Sequence, residues 1–204
     1  GIDVVKGAFC ADDLEQILRS AEKIGFPVAL KLISADLIHK SDVGCVQLNL
    51  NCQDDIINAY NKTLINAGRA YPGTSIAGFL VQQMFSDGHE VIIGVTNDST
   101  FGKIILFGLG GIFVEILRDA AIRKIPISRS DAKDMIEEIK GYKILQGTRG
   151  KKPVNFELLH DILLKVSRLG EEIEDILEMD LNPVFVNSRR ALVVDPRIIV
   201  SGRN

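Results

Sequence analysis

The run ILEMDLNPVFVNSRRALVVDPRIIV, residues 176–200, restricts the fold more than any other stretch of the chain. Two β-rich segments flank Ser188-Arg189, and a tight turn there makes them an antiparallel hairpin. Successive side chains on a strand point to opposite faces, so Glu178, Asp180 and Asn182 share an oxygen-rich face and Leu177, Met179 and Leu181 the core face. With that turn, Asn187 pairs with Arg190 and Asn182 falls opposite Asp195, roughly 5 Å away on the same face. An amide oxygen and a carboxylate so placed suit a hard cation such as Mg²⁺, which takes oxygen ligands and leaves room for substrate phosphates. Pro183 and Pro196 each remove a backbone donor beside that pair. The plainer alternative is an exposed acidic strand face with turn prolines, and a one-residue bulge would spoil the register.

Upstream, helices and strands mix. Leu14, Ile17, Leu18, Ala21 and Ile24 recur at helical spacing between Asp12-Asp13 and Gly25. A strand is expected from Pro27 to Ser34 and another over 44–50. Ile56, Ile57, Tyr60 and Leu64 mark a helix that closes near Gly68. Pro72-Gly73 is a turn and the expected seam between a lobe of about 1–72 and a lobe of about 73–204. The runs Ile76–Met84, Glu90–Thr96 and Lys103–Phe107, separated by Asp87-Gly88 and Asn97-Asp98, read as an antiparallel meander. Gly108-Leu109-Gly110-Gly111 leads into Ile112–Leu117. Helices are expected over 131–140, capped by Ser130, and over 156–169, capped by Asn155 and stopped at Gly170. The fold class is α+β in two lobes.

Composition excludes several functions. The 204 residues are 46% hydrophobic, enough for a sizeable core, and the net charge of −3 gives no basic footprint for nucleic acid. No run of 18 apolar residues marks a membrane span. Cys10, Cys45 and Cys52 share no metal-ligand spacing, and an odd count argues against a disulfide framework, so reduced thiols in a cytoplasmic protein are expected. The opening Gly-Ile-Asp-Val-Val has neither an initiator Met nor a signal-peptide layout and points to a piece of a longer chain.

Lys31 interrupts an apolar strand. Its ammonium either snorkels to water or meets a phosphate. His39, in the loop Ala35–Gly44, is either a solvated side chain or a nucleophile that takes and passes on a phosphoryl group, with Lys40 beside it. The glycines 108, 110 and 111 match neither a dinucleotide fingerprint nor a P-loop. They permit close approach of a ligand or simply a bend in a sheet. GTRGKK, 147–152, reads as a mobile basic loop.

Taken in order, GFPVALKLISADLIHKSDVG, VQQMFSDGHEVIIGV, FGKIILFGLGGIFVEILRDAAIRKIPI, ILQGTRG and EMDLNPVFV…ALVVDPRI resemble the ATP-grasp domain of ADP-forming acyl-CoA synthetases, relatives of succinyl-CoA synthetase. The matching runs span residues 25–198. The resemblance implies an ATP-grasp fold, with ATP/ADP and Mg²⁺ held between antiparallel sheets. It implies the net reaction acyl-CoA + ADP + phosphate ⇌ carboxylate + CoA + ATP. It further implies a partner, a CoA-binding domain or alpha subunit carrying a first phosphohistidine, through which the small carboxylic acid and CoA act. His39 matches the histidine that relays the phosphoryl group, Lys31 a nucleotide-phosphate ligand, and Asn182 and Asp195 the metal ligands. Gln82, Gln83 and Met84 match the run that hinges the lobes and bonds adenine through its backbone, and Glu90 an acidic position on the nucleotide side. Two departures stand out. Gly44-Cys45 replaces the family's frequent Gly-Gly, and the helix that normally precedes the opening residues is missing. The alternative is a ligand-sensing ATP-grasp module of a protein lysine acetyltransferase.

Overall fold

The computed structural model describes residues 1–34, 43–111, 119–148 and 152–202. They form two compact units: Val5–Phe85, and Gly1–Val4 together with Ser86–Asn204. The division falls after Phe85 and not at Pro72-Gly73.

The first unit holds a four-stranded antiparallel sheet in the order β1-β4-β2-β3: β1 (Gly7–Cys10), β2 (Val28–Ile33), β3 (Val46–Leu50) and β4 (Gly78–Gln83). The helices α1 (Leu14–Ile24) and α2 (Gln53–Ala70) cover one face. Asp13 caps α1, its carboxylate accepting the N–H groups of Glu15 at 2.9 Å and Gln16 at 3.3 Å, and Gly25 stops the helix at φ 92°. Alternation along β2 sends Val28, Leu30 and Leu32 into a core with Ile17, Ile56, Phe79 and Val81. Ala29, Lys31 and Ile33 take the opposite face.

β4 corrects the expected meander. It pairs with β1 and β2, and not with the strand that follows it. A hydrophobic run shows that a strand exists; which edge it joins depends on distant partners such as β1, a four-residue strand that periodicity did not reveal.

The second unit carries a sheet of six strands among the described residues, in the order β10-β8-β5-β6-β7, with β9 also on β8. The strands are β5 (His89–Asp98), β6 (Gly102–Leu109), β7 (Ala120–Lys124), β8 (Ile176–Val186), β9 (Ala191–Val193) and β10 (Pro196–Val200). Helices α3 (Arg129–Glu138), α4 (Tyr142–Leu145) and α5 (Phe156–Glu172) complete it. Val91, Ile93, Val95, Phe107, Met179 and Leu181 share a core with Met135, Leu159, Leu163 and Val166 of the helices.

Two helix ends differ from expectation. α3 is capped by Ser128, not Ser130, because Ser128 and Asp131 satisfy each other's backbone N–H, at 3.1 and 2.8 Å. α5 runs through Gly170, where a Cβ would lie 3.0 Å from Ile125 Cδ1, so that glycine serves close packing and not termination. The helix end is instead closed by Lys103, whose Nζ donates to the carbonyls of Gly170 and Ile173 at 2.8 Å each. Among the described residues no helix is long and apolar enough to cross a membrane.

Candidate functional site

The hairpin register holds. Val184, Phe185 and Val186 pair with Val193, Leu192 and Ala191, and the Asn187 N–H reaches Arg190 O at 3.0 Å. β10 continues the same register, Leu181 with Pro196 and Asp180 with Arg197. In the gap between β9 and β10, the Asn182 N–H donates to Asp195 O at 3.4 Å and the Val194 N–H to Pro183 O at 3.0 Å. Asn182 and Asp195 therefore stand opposite each other, both exposed.

A bulge does occur, but on the other side of β8, where the pairing with β5 shifts between Val91 and Ile93. A second irregularity, between Ile199 and Val200, leaves Leu177 out of the core and exposed. That corrects the expected burial of Leu177, while Met179 and Leu181 are buried as their alternation requires.

Asp180 belongs to the same acidic face. It is half-buried, and burial pushes its carboxyl above the ordinary range. The negative charge of Glu178 adds to this, Arg197 across the strand pair opposes it, and Asp195 adds again. Three carboxylates thus influence one another beside an amide oxygen. Such a face gains by binding a divalent cation. Among the described residues no set of three or more His, Cys, Asp or Glu forms a closed metal cage. Mg²⁺ does not demand one, since it keeps waters and takes substrate phosphates with one or two protein oxygens. The donor set fits.

Glu90 shares that sheet face, since Val91, Ile93 and Val95 occupy the core side of β5. It is exposed at the edge of a cleft of about 350 Å³ that Leu109, Gly110, Gly111 and Ile144 also line. The glycine-rich segment is fitted to it. The Gly110 N–H donates to Glu90 O at 2.7 Å. A Cβ on Gly110 would lie 2.9 Å from Glu90 Cβ, and one on Gly111, at φ 63°, would lie 3.1 Å from Glu90 Oε2. The close approach these glycines permit is to Glu90.

In the first unit, Lys31 is 9% exposed and so does not simply snorkel. It pairs with Leu80 on β4 and Val46 on β3. Gln82, also buried, sits opposite Ala29 and so on the same face as Lys31, one diagonal away. The N–H groups of Gln83 and Met84 are committed to Lys6 O at 2.8 Å and Pro27 O at 3.1 Å. Any backbone contact to a base from this run falls on its other polar groups. His39 lies outside the described residues, as do Ile112–Leu117 and part of the GTRGKK loop. The far root of the histidine loop is described. Gly44, at φ 67°, accepts the side-chain amides of Gln47 at 2.8 Å and Asn66 at 3.0 Å. Cys45 beside it is fully buried, and its carbonyl receives the Leu32 N–H at 3.0 Å. A side chain in place of the family's second glycine is thus absorbed into the core.

The structure brings Lys31 and Gln82 onto one face of the first unit, and Glu90, Asn182 and Asp195 onto one face of the second. Sequence reasoning left Asp180 out of the site proper, although the alternation that selects Asn182 also selects Asp180. The family model for the ATP-grasp domain matches residues 1–200. The chain belongs to the ATP-grasp family. This ATP-grasp chain is 49% identical over 195 residues to the beta subunit of acetate–CoA ligase (ADP-forming) II of Pyrococcus furiosus, covering 94% of the chain and 83% of the relative. It superposes with a TM-score of 0.94 and 44% identity on the dinucleotide-forming acetyl-coenzyme A synthetase 1 of Ca. Korarchaeum cryptofilum in complex with coenzyme A, Ca-AMPCP and HgCl⁺, covering 98% of this chain and 87% of that one. A second structure of that synthetase holds coenzyme A and Mg-AMPPCP, with its phosphohistidine segment pointing towards the nucleotide-binding site. The match to it has a TM-score of 0.83 and 42% identity, over 98% of this chain and 86% of that one.

Proposed function

We propose that this ATP-grasp chain is the nucleotide-binding and phosphoryl-transfer part of an ADP-forming acyl-CoA synthetase, acting with a CoA-binding domain or alpha subunit. The observation that carries the reading is the register of Asn182 against Asp195 on a strand face that also holds Glu178 and Asp180. Mg²⁺ bound by Asn182 and Asp195 would neutralise charge on the nucleotide phosphates. Lys31 supplies a compact positive charge to those phosphates, Glu90 contacts the nucleotide, and the run Gln82–Met84 receives adenine. His39 is the acceptor. Its imidazole nitrogen attacks the terminal phosphorus of ATP, an N–P bond forms, the P–O bond to ADP breaks, and ADP leaves with the electron pair. The reverse step makes ATP. Phosphoryl transfer asks mainly for charge neutralisation and positioning, which these residue types provide. A first phosphohistidine on the partner would load His39, and the small carboxylic acid and CoA would react there. The similarity to ligase subunits favours this reading, and the acetyltransferase-sensor alternative gains nothing from it.

Incubation with Mg²⁺ and terminally labelled ATP, followed by mapping of acid-labile phosphate, tests it. Label on His39 that disappears in His39→Ala is the expected result. A folded protein that binds ATP and never labels would leave only a binding module.

A further inference from the structure

The Glu90 cleft has a support behind its lining residues. Asp119 is 8% exposed, and both carboxylate oxygens are used. Oδ1 accepts the Lys140 N–H at 2.8 Å and Oδ2 the Gly141 N–H at 2.7 Å. These bonds seat Gly141 hard against Leu109, so that a Cβ on Gly141 would lie 2.1 Å from Leu109 Cδ1. The Gly141 carbonyl in turn receives the Ile144 N–H at 2.9 Å, at the start of α4. Leu109 and Ile144 are both walls of the cleft. The residue after Leu109 is Gly110, whose N–H holds Glu90 O at 2.7 Å. At the Asp119 end, its own carbonyl lies so close to Gly108 that a Cβ there would meet it at 2.8 Å.

We infer that Asp119 is a positioning residue for nucleotide binding: through Gly141 it fixes Leu109 and Ile144, and through Leu109–Gly110 it fixes Glu90. The inference rests on the reading that Glu90 faces the nucleotide. Replacing Asp119 leaves the buried Gly141 N–H, the part-buried Lys140 N–H or both without an acceptor, and the 140–141 corner moves to find another. The cleft wall moves with it. A displacement of the order of 1 Å in a supporting contact is enough to matter at a ligand site.

The test is calorimetric titration of MgADP into the chain, with thermal unfolding of each variant measured without ligand. Asp119→Asn keeps one acceptor and replaces the other with an amide that cannot receive an N–H. Gly141→Ala pushes on Leu109 without altering charge, and its backbone at φ −74° accepts alanine, so it decides the matter if Asp119→Asn does not fold. Both are expected to unfold cooperatively and to bind MgADP roughly tenfold or more weakly than the parent chain. Variants with lowered melting temperatures and parental affinity would make Asp119 a structural residue only and overturn the inference. A parent chain that does not bind MgADP would overturn the nucleotide reading as well, and that failure is seen before any variant is made.

Discussion

The two sheets differ in the charge they carry on the face turned away from their helices. In the first unit Lys31 is buried in a face that also carries Ala29, Leu80 and Gln82. In the second, the acids Glu178, Asp180 and Asp195 stand with Asn182 on a face left half open to water. Burying a cation costs hydration, and clustered carboxylates repel. Under the proposed function the two faces would take different roles, the buried lysine acting on phosphate directly and the acidic face through the metal.

The largest expected effects lie beneath both faces and change neither. Phe107→Ala in the second unit and Phe79→Ala in the first each remove a fully buried ring. Each is expected to cost about 3–5 kcal/mol in denaturant unfolding, without selecting between the two faces. Next come the charges. Lys31→Met and Asp195→Asn are each expected to lose roughly 2–3 kcal/mol of nucleotide binding, about 30- to 150-fold. They should differ in kind: Lys31→Met weakens ADP with or without Mg²⁺, whereas Asp195→Asn removes the part that Mg²⁺ adds. Equal metal dependence in the two variants would break the comparison.

Smaller effects sharpen it. Asp13→Ala at α1 and Asn155→Ala at α5 remove one helix cap in each unit, and each should cost about 1 kcal/mol of stability while leaving ADP affinity unchanged. The smallest effect has a diagnostic sign. Asp180 has its carboxyl raised above the ordinary value of 3.8 in the folded chain, first by burial and then by Glu178. Between the unfolded and the folded value the native state binds more protons, so stability falls as pH rises through that window. Asp180→Asn should therefore raise the melting temperature at neutral pH, and the gain should vanish below the unfolded carboxylate value. Saturating Mg²⁺ with ADP should shrink the gain too, because the metal relieves the same repulsion.

How much was legible in the sequence depended on how local the determinants are. The β8–β9 hairpin is set by its own turn, so fixing Ser188-Arg189 fixed the pairing down to Ile199 with Glu178. β4 was misplaced because its partners come from β1 and β2, far back in the chain, and nothing in its alternation names them. Ser128, two residues before the expected cap Ser130, takes that role through its reciprocal bond with Asp131, which spacing alone does not reveal. Asp119 carries no pattern at all. Its two acceptor bonds reach backbone groups 21 and 22 residues away, and no local spacing encodes such a contact.

Most directly at stake is whether Asn182 and Asp195 grip a divalent cation with the nucleotide. Mn²⁺ replaces Mg²⁺ as a paramagnetic probe, and electron paramagnetic resonance counts free against bound ion. With ADP present, the parent chain should bind one Mn²⁺ per chain. Asp195→Ala and Asn182→Ala should each release it while keeping the parent fold by circular dichroism. Undiminished Mn²⁺–ADP binding in both variants would contradict the account.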